Sequence, residues 1–146
     1  MAIAWILILL CVIVSWSDVG KRRIPNRALL AGLLVIAGSA IESWTMEEWM
    51  AHLSFGVAII LAFGCVAWLW PDHLGMGDAK LLGVLGFTLG LRPFVWVLTA
   101  ACFLILLFSL WLLTLKRMNG KSSLPFAPFA TLGLICYQIS VWLSAS

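Results

Sequence analysis

The sequence predicts an all-α fold, a polytopic membrane bundle of about six transmembrane helices with the N-terminus outside. Composition is the first reason. Of 146 residues 64% are hydrophobic and only 10% charged, and the mean hydropathy is +1.11, whereas a soluble domain carries roughly a quarter charged residues. A small domain leaves much of its surface exposed, so a water-soluble fold of this size could not hide so many apolar side chains. Spacing is the second reason. The apolar residues fall into runs separated by short polar connections, and a bilayer-spanning helix takes about 20 of them. One membrane domain over residues 1–146 is expected, with no sizeable soluble part.

The runs can be taken in order. Residues 2–16 form the first. They contain no Lys or Arg, and the basic cluster Lys21, Arg22, Arg23 follows them, the reverse of a secretory signal; a retained first span is expected. The second and third runs cover 28–41 and 52–70. A short fourth covers 79–91, too few residues to cross a full bilayer unaided unless it starts earlier, tilts or thins the membrane. The fifth and sixth cover 94–115 and 126–143.

Charge placement gives the orientation. With the N-terminus outside, Lys21, Arg22, Arg23, Arg27, Lys80, Lys116, Arg117 and Lys121 all fall in cytoplasmic loops, leaving Arg92 alone outside with Glu42, Glu47 and Glu48. This is the positive-inside pattern. The net charge of +3 thus reads as a topology signal, and no nucleic-acid partner is expected. Membrane lipid is. Most of the nine tryptophans lie near run ends, as an interfacial belt requires. Gly83, Gly86 and Gly90 predict a helix face for close packing. Cys11, Cys65, Cys102 and Cys136 form no CxxC pair and read as buried small hydrophobes, with no metal site.

Only six acidic residues exist. Three belong to the outer loop, and Asp72 lies beside Pro71 and His73 in the third connection. Asp18 and Asp78 remain, each at the edge of an apolar run and, in this topology, both at the cytoplasmic face. Ionisable groups at membrane depth are costly and functional by default, although an Asp at a helix start also serves as a cap. Gly75 and Gly77 before Asp78 suit a backbone that another chain approaches closely. His52 lies near the outer boundary, away from both acids.

These residues resemble a known family. Gly75-Met76-Gly77-Asp78 with Lys80 is similar to the GxGD signature of type IV prepilin peptidases and archaeal preflagellin peptidases. Asp18, followed by the basic run and Ile24-Pro25-Asn26, resembles the first-aspartate motif of the same family. Pro125-Phe126-Ala127-Pro128-Phe129 resembles the Pro-Phe-x-Pro-Phe element that opens the last helix. Larger members carry paired CxxC motifs associated with N-methylation; none occurs here, so the chain is similar to the compact peptidase-only form of tight-adherence (Flp-type) pilus systems. The resemblance implies an aspartic endopeptidase of the inner (plasma) membrane, without cofactor, in which Asp18 and Asp78 activate water against a prepilin-like precursor with a short basic leader. Gly75, Gly77, Lys80, Pro25 and Asn26 are expected to support the site, Pro25 and Asn26 as a turn into the second helix. Helix ends suggest a charged Asp78 at an N-terminus and a protonated Asp18 at a C-terminus. The alternatives are an archaeal-type preflagellin peptidase and a non-enzymatic scaffold or ion-pathway protein.

Overall fold

The computed structural model describes residues 2–21, 24–71, 74–115 and 125–145, and among these the regular secondary structure is entirely helical. The order is α1 (Ala2–Lys21), α2 (Asn26–Ile41), α3 (Met46–Leu69), α4 (Met76–Leu89), α5 (Leu91–Thr114) and α6 (Ala127–Ala145). Four of these, α1, α3, α5 and α6, are long and apolar enough to cross a membrane. The protein is thus a multi-pass membrane protein. Helices α2 and α4 are shorter, at 16 and 14 residues.

The helices start earlier or end later than the apolar runs, and each difference has a local cause. Helix α1 continues through Asp18 to Lys21, because polar side chains can finish a helix once its apolar face is packed. Helix α3 begins at Met46 and not near residue 52. Thr45 accepts from the Glu48 N–H, and the Glu48 carboxylate accepts the Thr45 N–H at 2.8 Å, a reciprocal capping box. Helix α4 begins at Met76, which draws Gly77 and Asp78 into its first turn. Helix α5 begins at Leu91 and holds Pro93 in its first turn, where the missing N–H is not needed.

The shortest helix is the central one. Helix α4 touches α1, α2, α3 and α5, while α6 closes the bundle between α1 and α5. Every position of α4 from Ala79 to Thr88 except Lys80 is buried, as befits a helix that is apolar all round. Leu81, Leu82, Leu85 and Phe87 pack there against Leu7, Leu10 and Val14 of α1, Leu29 and Ile36 of α2, and Phe94 and Val97 of α5 in one core. At 14 residues and 1.5 Å per residue, α4 is about 21 Å long, short of a hydrocarbon layer of about 30 Å. Its middle, from Leu81 to Thr88, is enclosed by neighbouring helices.

Close approach of α3 and α4 depends on glycine. A Cβ on Gly56 would lie 2.7 Å from the Phe87 Cβ and 3.0 Å from its Cα, and one on Gly83 would collide with the Ile60 side chain. Gly86 packs tightly on Ile59, where a Cβ would lie 3.1 Å from the Ile59 Cγ1. Gly90 is not on this face. It joins α4 directly to α5 at φ 71°, packed on the His52 ring. His52 Nδ1 lies 2.7 Å from the Phe87 carbonyl oxygen, one of the last carbonyls of α4 without an intrahelical donor. Trp44 stacks on His52 at 4.1 Å and, with Trp49, packs against Phe87. These two tryptophans are therefore packing groups, in contrast to the exposed Trp16, Trp68 and Trp142. The cysteine expectation also needs correction. Only Cys11 is buried; Cys65, Cys102 and Cys136 are exposed on outward helix faces.

Candidate active site

Asp18 and Asp78 come to the same end of the bundle from helices α1 and α4, which touch. Asp18 is buried, with 7% of its surface exposed, and Asp78 is half-buried.

Each acid has a backbone partner at a helix start. Gly75 is the N-cap of α4, and its carbonyl accepts the N–H groups of Asp78 at 3.0 Å and Ala79 at 3.2 Å. Three residues on, the Asp78 carboxylate reaches back to the Gly75 backbone, the acidic half of a capping box. A Cβ on Gly75 would sit 3.3 Å from the Asp78 Oδ2, so glycine leaves that oxygen uncovered. Asp18 is held differently. Its Oδ2 accepts the N–H of Ala127 at 3.4 Å, the first residue of α6. Asp18 thus lies in the last turn of α1, at a helix C-terminus as expected, and its Oδ2 also faces the N-terminus of α6.

The supporting residues gather at the same end. Gly77 packs on Ile24, where a Cβ would lie 3.0 Å from the Ile24 Cβ. Pro25, the N-cap of α2, presents its carbonyl to the Ala28 N–H at 3.0 Å. Lys80 Nζ donates to Asn26 Oδ1 at 3.1 Å, tying α4 to the start of α2 on an exposed flank. His52 caps the opposite end of α4 and meets neither acid. Arg22, Arg23, Asp72, His73, Lys116, Arg117 and Lys121 lie outside the described residues.

Three groups escaped sequence reasoning. The Ala127 N–H carries no side-chain signal. Ser15 and Thr131, whose hydroxyl oxygens are 2.7 Å apart, join α1 to α6 one turn from Asp18. Hydroxyls isolated in apolar helices were the available signal. Beside this seam lies an open, almost wholly apolar groove of about 580 Å³, bordered by Val19 and Gly20 next to Asp18 and by Pro128 next to Ala127.

The fold and the site define a class: a multi-pass helical membrane protein with two acids from separate helices drawn together at one end. The chain belongs to the type IV leader peptidase family, whose model matches residues 5–110, a stretch that contains both Asp18 and Asp78 and stops short of α6. It is 30% identical over 132 residues to the prepilin leader peptidase/N-methyltransferase of Bacillus subtilis (strain 168), covering 90% of this chain and 53% of that protein. The chain thus spans about half the length of the curated relative it matches. No solved structure matches.

Proposed function

We propose that this chain is an intramembrane aspartic endopeptidase that removes the short basic leader from prepilin-like precursors at the cytoplasmic membrane face, with Asp18 and Asp78 as the catalytic pair. The observation that carries this reading is that the last turn of α1, with Asp18, and the first turn of α4, with Asp78, belong to helices in contact, in a chain of the type IV leader peptidase family. Two neighbouring carboxylates do not both ionise cheaply, so they hold one proton between them. The charged member takes a proton from water, and the resulting oxygen nucleophile attacks the scissile carbonyl carbon. The protonated member donates to the carbonyl oxygen, and protonation of the amine nitrogen then releases the leader as the C–N bond breaks. The proton belongs to the pair more than to either residue.

The Asp78 backbone cap and the Ala127 N–H on Asp18 hold the carboxylates before substrate arrives, as positional catalysis requires. The groove between α1 and α6 leaves the seam beside Asp18 open on its outer side. Lys80 and Asn26 brace the start of α4, and Gly75 and Gly77 keep backbone room around Asp78. Orientation with the N-terminus outside rests on the positive-inside pattern.

The test is cleavage of a candidate prepilin by the purified chain in detergent or liposomes, with the released leader identified by mass. Asp18→Asn and Asp78→Asn are each expected to lower the rate by about 10²–10⁴-fold or more while expression and folding stay normal. Wild-type cutting by either variant would remove that residue from the pair.

A further inference from the structure

Helix α6 meets α1 along a short polar ladder in an otherwise apolar seam. Cys11, Ser15 and Asp18 follow one another at helical spacing on one face of α1. Ala127 and Thr131 do the same on α6. At the bottom the Ala127 N–H donates to Asp18 Oδ2 at 3.4 Å. One turn up, Thr131 Oγ1 lies 2.7 Å from Ser15 Oγ, 2.8 Å from the Ala127 carbonyl oxygen and 3.2 Å from the Cys11 carbonyl oxygen. Its single proton serves one acceptor at a time, and either hydroxyl of the Ser15–Thr131 pair can be the donor. Thr131 is buried and Ser15 half-buried, at the edge of the groove between α1 and α6.

A single contact at Asp18 would leave α6 free to slide or turn. A slide of one residue, about 1.5 Å, carries the Ala127 N–H out of reach of a bond that is already long. The hydroxyl pair one turn away forbids that slide. The far face of α6 is held as well: a Cβ on Gly133 would lie 2.8 Å from the Val97 carbonyl oxygen of α5, so the backbones are in near contact there.

We propose that Ser15 and Thr131 are positioning residues, whose hydroxyl pair locks the register of α6 on α1 and so keeps the Ala127 N–H on Asp18. This rests on the peptidase reading only in giving Asp18 a catalytic role; the register lock itself is independent of it. Thr131→Val keeps shape and removes the hydroxyl, Ser15→Ala removes its partner, and Thr131→Ser restores the hydroxyl. In precursor cleavage by the full-length chain, Thr131→Val and Ser15→Ala are expected to lower kcat about tenfold to a hundredfold with KM unchanged. The double variant is no slower than the worse single, and Thr131→Ser matches wild type. Unchanged kcat in Thr131→Val, or equal damage in Thr131→Ser, would overturn the proposal.

Infrared spectra of the same proteins carrying ¹³C-aspartate separate this from the peptidase reading. The difference between wild type and Asp18→Asn isolates the Asp18 carboxylate band. That band is expected to move in Thr131→Val and stay in Thr131→Ser whether or not the chain cuts; an unmoved band in Thr131→Val rejects the register lock. A wild-type chain that cuts no precursor rejects the peptidase reading alone.

Discussion

Asp18 and Asp78 reach one end of the bundle by different local routes. Asp78 is written into its helix start, where Gly75 caps and the acid three residues later folds back on it. Asp18 depends on a helix that begins 109 residues later. The motif around Asp78 was legible in the sequence because its partners are neighbours. The partner of Asp18 was not, because a backbone N–H has no residue signature and its distance in the chain hides it. Lys80 and Asn26, 54 residues apart, fall between these cases: both belong to family-like motifs, but only the fold joins them. Their hydrogen bond is exposed, so its net worth is about 1 kcal/mol. A double-mutant cycle with Lys80→Met and Asn26→Ala, read by unfolding in mixed micelles, is expected to give coupling of that size. Additive effects would mean the bond contributes nothing in solution.

Among the elements, α4 decides where the site can be. It is short, central and held against α3 by glycine contacts, so its first turn stays near α1 and α2. Gly56 makes the closest of these contacts to backbone, since any Cβ there meets the Phe87 Cα at 3.0 Å. Gly56→Ala must push α3 and α4 apart and is expected to cost about 1–3 kcal/mol. Gly38 of α2 faces open space, with nothing within 4 Å of where a Cβ would stand, and Gly38→Ala is expected to be neutral or stabilising by up to about 1 kcal/mol. Equal destabilisation of both in micelle unfolding would contradict the packing role. Six apolar runs predicted six helices, but not their ends. The Thr45-x-x-Glu48 capping box was present in the sequence and would have moved the start of α3 to Met46. The central place of α4 was harder to read: a run too short to span has no hydropathic mark that separates burial from a re-entrant segment.

For the whole molecule, composition alone specified a membrane protein; six apolar runs predicted six spans, and four of the helices are long and apolar enough to cross. The positive-inside pattern carries its own prediction of orientation. In a background with the four native cysteines replaced by Ala, Arg27→Cys is expected to react with a membrane-impermeant thiol reagent only when the cytoplasmic side is opened, and Glu42→Cys from outside in intact cells. The opposite pattern would invert the topology and move the acids to the outer face. Packing then brings the start of α4 and the end of α1 together, while His52 and Trp44 close the other end of α4. Intrachain cross-linking measures this arrangement most directly. With native cysteines removed, the double variant Asp18→Cys, Asp78→Cys is expected to be joined by a short thiol cross-linker, and Asp18→Cys with His52→Cys is not. Failure of the first pair to link in folded protein, or equal linking of both, would contradict the meeting of the two acids on which the proposed chemistry depends.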